Sequence, residues 1–197
     1  MRTSYGLAGK FQPAEMHNLY AYRHAVFIQR LGWDLPGAKH GLEMDQFDRP
    51  DTIHVLRRKS DGTLCGCARL LPTNRPYLLG EIFPELMHGA PIPSSGDVWE
   101  ISRFCSVDVN SRTTSRKAKQ VTVWGCRDVL AATVTCAIEV GAKRLIAVSS
   151  IAIERILLRL GVHASRVGPP MRIGGHTIFA FWLEIDEQTI SALGLRN

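Results

Sequence analysis

The chain has 197 residues and a formal net charge of +6, with 45% hydrophobic and 21% charged residues. This composition is close to the globular average and excludes the disordered, collagen-like and coiled-coil classes, and no apolar run approaches the roughly 18 residues of a membrane span. Because the first 16 residues lack the apolar segment of a signal peptide, we expect a single cytoplasmic domain over residues 1–197 with no membrane partner.

The charge is distributed unevenly along the chain. Residues 1–100 hold 11 basic and 11 acidic side chains, whereas residues 101–197 hold 13 and 7. Eighteen of the 24 cations are arginine, which binds carboxylates and phosphates through two parallel hydrogen bonds. The pattern indicates an acidic partner for the C-terminal half, although a solvated basic surface without a partner fits equally well.

Five cysteines, with no C-x-x-C pair, indicate neither a disulfide framework nor a metal site. We expect buried free thiols and no bound metal.

The first predicted element is an amphipathic helix that begins at Pro13 and ends at Gly32. Arg23 falls on its apolar stripe, and a buried guanidinium requires a carboxylate partner. A long loop, Trp33 to Pro50, follows and carries three acids, Glu43, Asp45 and Asp48. Loops of this length inside a compact domain are usually functional or disordered.

Two strands, Ile53–Arg58 and Leu64–Leu71, are predicted next, joined by a tight turn at Ser60-Asp61-Gly62. Residues 72–97 are predicted to be irregular. The remaining predicted elements are a strand at Val98–Val107, a helix at Lys117–Val140, a strand at Leu145–Val148, a helix at Ile151–Leu160, a strand at Ile178–Ile185 and a short helix capped by Asp186. This order predicts an α/β fold, a mixed twisted sheet with helices packed on it.

The sequence contains none of the usual catalytic fingerprints for dinucleotides, nucleoside triphosphates, serine hydrolases or zinc proteases. It does place ionic side chains at unusual positions. Besides Arg23 and the three acids of the loop, Arg69 lies at a strand end, and Glu100 and Arg103 lie in an apolar strand. These groups could neutralise one another in a cluster.

In six stretches the sequence resembles the acyl-homoserine lactone synthases of bacterial quorum sensing. They are Y-R-H-A-V-F at 22–27, L-G-W at 31–33, E-x-D-x-F-D at 43–48, C-A-R-L-L-P at 67–72, Phe83 and E-I-S-R-F at 100–104. Eight residues occupy the family's signature positions: Arg23, Phe27, Trp33, Asp45, Asp48, Arg69, Glu100 and Arg103.

The resemblance implies a fold similar to the GCN5-related N-acetyltransferases and two substrates, S-adenosylmethionine and an acylated acyl-carrier protein, without a further cofactor. It implies that the methionine amine attacks the acyl thioester, after which the lactone closes and methylthioadenosine leaves. The product would be a quorum-sensing signal.

Residue chemistry is compatible with such a site. Arg23 or Arg103 can pair with the substrate carboxylate, and Phe27 and Trp33 can pack on the sulfonium and adenine. Only a neutral amine is nucleophilic, and Glu100 is the best candidate to accept its proton, directly or through a water, because burial would raise its pKa. A structural ion-pair role for Glu100 has equal weight.

The other acids and the strand geometry lead to two further expectations. Asp45 and Asp48 are expected to neutralise Arg23, Arg69 and Arg103 rather than to contact reacting atoms. Strand alternation places Glu100 and Arg103 on opposite faces, so a bulge between them is needed to bring both into one site.

The resemblance also implies an acyl tunnel between the sheet and the helices, with Leu157 beside it. We expect its pocket to include Ser102, Phe104, Ala147 and Ser149. Where related synthases that use 3-oxo chains have threonine, this sequence has Ala147, which favours an unsubstituted acyl chain of medium length.

The basic C-terminal half suits an acidic carrier protein. Arg155 and Arg159 match basic positions associated with carrier docking in similar proteins, and Arg112, Arg116 and Lys117 form a second basic cluster. Ordinary solvated surface remains an alternative for both sets. Two other functions stay open: an N-acyltransferase that uses acyl-CoA, against which residues 110–115 contain no glycine, and a DNA-binding or regulatory module, for which no recognition motif is present, so that no nucleic-acid partner is expected.

Overall fold

The computed structural model describes residues 1–109 and 123–195, and the chain divides into two compact units. The first unit comprises Met1–Arg69 and Arg103–Ala132, and the second comprises Leu70–Ser102 and Thr133–Asn197. Three elements, β5, β6 and α3, begin in one unit and end in the other. A single domain over residues 1–197 therefore stays a prediction.

The first unit contains all or part of four neighbouring strands, a separate two-stranded hairpin, the helix α1 with a π-helical continuation, and the start of a second helix. Its elements are β1 (Arg2–Leu7), a 3-10 turn (Ala8–Lys10), α1 (Pro13–Arg23), a π-helical segment (His24–Arg30), β2 (Ala38–Lys39), β3 (Leu42–Glu43), β4 (Ile53–Arg58), β5 (Leu64–Pro72, through Arg69), the end of β6 (Val98–Cys105) and the start of α3 (Val123–Glu139). β1 is antiparallel to β4, with Gly6 opposite His54, and β4 lies next to β5.

The helix that the sequence predicts from Pro13 to Gly32 is confirmed but is not α-helical throughout. Pro13 occupies the first turn, where its missing N–H costs nothing, and the Glu15 carboxylate accepts a hydrogen bond from the N–H of Gln12. After Arg23 the chain winds as a π-helix, and Gly32, at a φ of 68°, ends it. π-Helical turns are rare and frequently lie at functional sites.

The predicted hairpin between β4 and β5 is confirmed. Gly62 adopts a φ of 85°, and the N–H of Lys59 donates to the carbonyl of Thr63 to close the turn. In β5, Gly66 permits a close approach of α3, since a Cβ there would lie 2.8 Å from Cγ2 of Val129. A larger residue at 66 would push the helix from the strand.

The core of the first unit lies between α1 with the π-helical segment and the strands. Its buried members include Leu19, Tyr22, Val26, Phe27, Leu56, Cys67, Cys105 and Val107. The Tyr22 hydroxyl donates to the carbonyl of Val107 at 2.8 Å and accepts from its N–H at 3.2 Å. The backbone of Val107 is thereby bonded to a side chain, and β6 ends at Cys105, two residues before its predicted end at Val107.

The second unit consists of a mixed sheet with helices. Its elements are α2 (Leu78–Ile82), a 3-10 turn (Pro84–Met87), β6, the end of α3, β7 (Arg144–Ser150), α4 (Ile151–Leu160), β8 (Ala164–Arg166), β9 (Met171–Ile173), β10 (His176–Glu184) and α5 (Glu187–Leu193). β6 is parallel to β7, whereas β10 is antiparallel to β7, β8 and β9. The predicted mixed sheet with helices packed on it is confirmed.

The helix ends of the second unit follow the local sequence. Gly161 ends α4 at a φ of 78°, and the Asp186 carboxylate caps α5 by accepting from the N–H of Thr189 at 3.0 Å. Both features were predicted. Gly141, at a φ of 81°, follows the end of α3. Of the helix predicted at Lys117–Val140, residues 117–122 lie outside the described residues.

Three sequence expectations were wrong or incomplete. Residues 72–97 contain α2 and a 3-10 turn rather than only irregular chain. The strands β1, β8 and β9, and the hairpin of β2 and β3 inside the predicted loop, were not predicted. β7 is also longer than the predicted Leu145–Val148. Within the described residues, no helix is both long and apolar enough to span a membrane.

Candidate active site

Six ionic side chains of the first unit form a buried ionic cluster. Three are arginines, Arg23, Arg69 and Arg103, and three are acids, Glu43, Asp45 and Asp48. Arg23 ends α1, Arg69 lies in β5 and Arg103 in β6, while β3 and the loop after it supply the acids. Asp45 has the most exposed of these side chains, at 13%, so the cluster is almost completely removed from water.

Arg23 uses all three guanidinium nitrogens inside the cluster. Its Nε donates to Glu43 at 2.5 Å, while Nη1 and Nη2 donate to the two oxygens of Asp48 at 2.7 and 3.0 Å. The position of Arg23 on an apolar stripe predicted a carboxylate partner. The structure supplies two, Glu43 and Asp48.

The other two arginines complete the cluster. Arg69 donates to both oxygens of Asp45, at 2.6 and 3.1 Å, and its Nη1 lies 3.3 Å from Asp48. Arg103 uses Nε and Nη2 on Glu43 and Nη2 on Asp45 at 2.8 Å. The loop acids do neutralise these arginines, as the sequence led us to expect.

Within the cluster, Arg23, Glu43 and Asp48 favour the charged forms of one another. Burial alone would raise the pKa values of Glu43 and Asp48, but the adjacent arginines outweigh burial and lower both. Burial likewise would lower the pKa of Arg23, and Asp48 and Glu43 raise it instead. Removing one member would leave an uncompensated charge in a dry environment.

Aromatic rings lie against each arginine of the cluster. The guanidinium carbons of Arg23, Arg69 and Arg103 are 5.5, 5.7 and 5.7 Å from the ring centroids of Tyr20, Phe47 and Phe27. The Phe27 ring, in the π-helical segment, also stacks on Trp33 with centroids 4.9 Å apart. Phe27 is buried and Trp33 half-buried, so Trp33 presents the accessible ring of this pair.

The strand β6 is distorted at Arg103, which adopts a φ of +51°. A non-glycine residue in this left-handed region is uncommon, and such a residue typifies a bulge that changes the direction of side chains along a strand. The backbone of β6 is therefore irregular at Arg103, and a bulge between Glu100 and Arg103 stays a prediction.

Glu100 lies in the second unit and is fully buried. Its two oxygens accept hydrogen bonds from the N–H groups of Leu78, at 3.0 Å, and Leu79, at 2.7 Å, which are the first residues of α2. A carboxylate at a helix N-terminus binds free N–H groups and complements the helix dipole. Glu100 therefore has a structural role, as a cap for α2, whether or not it also takes part in chemistry.

The residues expected to form the acyl pocket are distributed over two strands. Ala147 and Ser149 lie two residues apart in β7 and so share one face of it, opposite Phe181 and Phe179 of β10. Ser102 in β6 is buried, and Phe104, two residues further, belongs to the first unit. The acyl pocket itself stays a prediction.

The expected carrier-docking residues are partly described. Arg155 and Arg159 are exposed on α4. Arg112, Arg116 and Lys117 lie outside the described residues. A surface cavity of about 680 Å³ in the first unit, lined by Leu7–Lys10 and Asp48–Pro50, borders the ionic cluster through Asp48.

Sequence reasoning named Glu43 as an acid of the loop but left it out of the site, although it links Arg23 to Arg103. Its position in the E-x-D-x-F-D stretch was the available signal. His54 in β4 was missed altogether. It is buried near Tyr20, and burial lowers its pKa to about 4. A histidine in a strand gives no local sign of this environment.

Comparisons with known proteins agree on the family. The family model described as autoinducer synthase matches residues 9–193. An acyl-homoserine-lactone synthase of Ralstonia nicotianae is 44% identical over 196 residues, which cover 99% of this chain and 94% of that protein. The crystal structure of TofI in a ternary complex with an inhibitor and MTA has a TM-score of 0.84 at 45% identity, covering 100% of this chain and 98% of that one.

More distant structures share the fold alone. BjaI, described as a CoA-dependent acyl-homoserine lactone synthase, has a TM-score of 0.81 at 20% identity, covering 99% of this chain and 89% of that one. A putative N-acetyltransferase from Lactobacillus plantarum has a TM-score of 0.63 at 17% identity, covering 94% and 100%. The expected likeness to N-acetyltransferases is confirmed, and the chain belongs to the autoinducer synthase family, whose members are acyl-homoserine-lactone synthases and hence acyltransferases.

Proposed function

We propose that this synthase transfers an acyl chain from an acyl-carrier-protein thioester to the amine of S-adenosylmethionine. The lactone then closes and releases methylthioadenosine. The observation that carries the proposal is that TofI, 45% identical over the whole of this chain, binds MTA in its crystal structure. Methylthioadenosine is the fragment that S-adenosylmethionine loses when its methionine portion cyclises, and no further cofactor is required.

In this proposal the first unit contributes the contacts with S-adenosylmethionine. Arg103 is a better partner for the substrate carboxylate than Arg23, because its contacts with Glu43 and Asp45 use Nε and Nη2, whereas Arg23 commits all three nitrogens. Trp33 packs on the sulfonium and adenine, and the buried Phe27 supports it from behind. Asp45, Asp48 and Arg69 position these groups.

Glu100 accepts the proton of the amine, directly or through a water. The two N–H groups of α2 hold its carboxylate in a fixed position. The neutral amine then attacks the thioester carbonyl, and the carrier's thiol leaves. Attack of the methionine carboxylate on the carbon next to the sulfonium closes the lactone.

We further propose an unsubstituted acyl chain of medium length, because Ala147 offers no hydroxyl to a 3-oxo group. The mass of the product made from a mixture of thioesters measures both chain length and oxidation state. A 3-oxo product in excess over the unsubstituted one contradicts this part of the proposal.

The assay that tests the reaction mixes the protein with S-adenosylmethionine and either octanoyl-carrier protein or octanoyl-CoA. We expect methylthioadenosine release with the carrier thioester and a much lower rate with the CoA thioester. Preference for the CoA thioester supports the alternative of an acyl-CoA-dependent enzyme. BjaI, which shares this fold, is described as such an enzyme. Acyl transfer without methylthioadenosine release indicates a different N-acyltransferase.

A substitution at Glu100 separates its two roles. We predict that Glu100→Gln lowers kcat about 10²- to 10⁴-fold, the usual contribution of a general base, and leaves the Kd for S-adenosylmethionine nearly unchanged. Glutamine keeps one of the two acceptor oxygens that bind α2, and the free energy of unfolding, measured in urea, reports the loss of the other. Equal losses in kcat, binding and stability show that Glu100 is only a cap.

A further inference from the structure

The backbone of Arg103, the proposed partner of the substrate carboxylate, has a conformation that other groups must support. Its φ of 51° lies in the left-handed region, which is unfavourable for any residue except glycine. Such a residue persists only where the surrounding structure determines its conformation. The guanidinium contacts with Glu43 and Asp45 act at the far end of a flexible side chain, so they constrain the backbone only weakly.

The thiol of Cys67 in β5 contacts that backbone directly. The five cysteines are free and buried, as the sequence predicted. Because β5 and β6 are neighbouring strands, the Sγ of Cys67 reaches the carbonyl oxygen of Arg103 and donates to it at 3.3 Å. This oxygen turns with the ψ angle of Arg103, so the bond resists a return of the backbone to the extended form. A thiol is a weak donor, but both residues are buried, and a buried carbonyl without a partner is costly.

A second thiol indicates the direction in which Cys67 donates. The Sγ of Cys105 lies 3.6 Å from the Sγ of Cys67. The Tyr22 hydroxyl gives its hydrogen to the carbonyl of Val107 at 2.8 Å, so its oxygen accepts from the thiol of Cys105 at 3.7 Å. Cys105 thus has an acceptor of its own, and the hydrogen of Cys67 goes to Arg103. The Cys105 sulfur and burial raise the pKa of the Cys67 thiol well above its ordinary value, so Cys67 keeps this hydrogen.

We propose that Cys67 is a positioning residue for S-adenosylmethionine, whose thiol holds the left-handed backbone of Arg103 and thereby aims the guanidinium at the substrate carboxylate. This inference rests on the proposed function, which assigns the carboxylate to Arg103. Without the thiol, the backbone of Arg103 relaxes in part of the molecules, and the apparent affinity falls with the fraction that stays competent. Molecules that have bound the substrate have the correct geometry, so kcat at saturation changes little.

Calorimetry with two ligands tests the proposal, because methylthioadenosine lacks the carboxylate of S-adenosylmethionine. We expect Cys67→Ala to raise the Kd for S-adenosylmethionine about three- to tenfold, the range of one hydrogen bond, and to leave the Kd for methylthioadenosine within about twofold of wild type. Cys67→Ser keeps a donor and is expected to restore the Kd for S-adenosylmethionine to within about twofold of wild type. Cys67→Val fills the space of the sulfur without a donor, and we expect it to lose as much affinity as Cys67→Ala.

The matched control is Cys105→Ala. It removes the other sulfur of the same buried pair but leaves the bond between Cys67 and the carbonyl of Arg103 intact. We expect Cys105→Ala and Cys67→Ala to lose similar amounts of stability in urea, whereas only Cys67→Ala loses affinity for S-adenosylmethionine. Steady-state kinetics should show the same separation, with a higher KM for S-adenosylmethionine and a nearly unchanged kcat in Cys67→Ala.

The outcomes separate the inference from the proposed function. If wild-type protein neither binds S-adenosylmethionine nor releases methylthioadenosine from it, the proposed function is wrong and the inference fails with it. If wild type does both, equal Kd values for Cys67→Ala and Cys105→Ala, or no recovery in Cys67→Ser, contradict the role of Cys67 alone. An equal loss of affinity for both ligands in Cys67→Ala and Cys67→Val also contradicts it, because it shows a general disturbance of the site.

Discussion

Glu43 accepts hydrogen bonds from both Arg23 and Arg103 and is fully buried, so its charge is the link between two arginines of the ionic cluster. Glu43→Gln keeps the shape and removes that charge. The cluster is then left with three cations and two anions in a dry environment. We predict a loss of about 3–5 kcal/mol in the free energy of unfolding, measured by urea denaturation.

The control for this prediction is Glu15→Gln. Glu15 pairs with Arg58 at 2.7 Å, but its side chain is 39% exposed, and glutamine also serves in a capping box. Such a pair contributes less than about 1 kcal/mol. Similar losses in the two variants would mean that the buried charges of the cluster are compensated in some other way.

His54 makes the first unit sensitive to acid in a range where carboxylates are still ionised. Burial lowers its pKa to about 4, against 6.5 for an ordinary histidine, and its Nε2 is buried with no hydrogen-bond partner among the described residues. The unfolded chain therefore binds a proton that the folded chain does not. The stabilisation is complete above pH 6.5 and is lost as the pH falls towards 4.

We predict that wild-type protein loses about 2 kcal/mol of unfolding free energy between pH 7.5 and pH 5 through this residue, and that His54→Gln has a flatter profile over that interval. Urea denaturation at several pH values measures both profiles. Above pH 7 the two should run parallel, which is the internal control. Parallel profiles down to pH 5 would show that His54 is protonated as easily in the folded chain as in the unfolded one.

Elements that depend on nearby residues could be predicted from the sequence. The turn at Asp61-Gly62, the stop of α4 at Gly161 and the cap of α5 by Asp186 are each determined within a few residues, and all three are confirmed. The same holds for the ionic partners of Arg23, since a cation on an apolar stripe and three acids in the next loop allow few other arrangements.

Elements that depend on distant residues could not be predicted. The N–H groups that begin α2 are bound by Glu100, which lies 22 and 21 residues further along the chain, so no local cap marks this helix. At Val107, where β6 was predicted to end, the backbone bonds instead to Tyr22, which lies 85 residues earlier in the chain. The left-handed backbone of Arg103, at a φ of 51°, likewise has no local sequence signal.

On the scale of the whole molecule, the difference in charge between the two halves has a structural counterpart. Five of the six residues of the ionic cluster lie in the first 100 residues, where positive and negative charges are equal in number, and they neutralise one another with Arg103. The excess of cations in the C-terminal half includes Arg155 and Arg159, which are exposed. These charges are available to attract an acidic partner.

The double variant Arg155→Glu with Arg159→Glu reverses both charges. It tests whether the attraction depends on the position of these arginines on α4 or only on the net charge of the protein. We predict that the KM for octanoyl-carrier protein rises about 10- to 100-fold at low salt, equivalent to about 1.4–2.7 kcal/mol, and that the effect shrinks as salt is added. The control, Arg30→Glu with Lys39→Glu, reverses two exposed cations of the first unit and changes the net charge equally. Steady-state kinetics over a salt series measures both. Similar increases in KM for the two double variants would mean that the overall field attracts the carrier, whereas no increase for the α4 variant would place docking elsewhere.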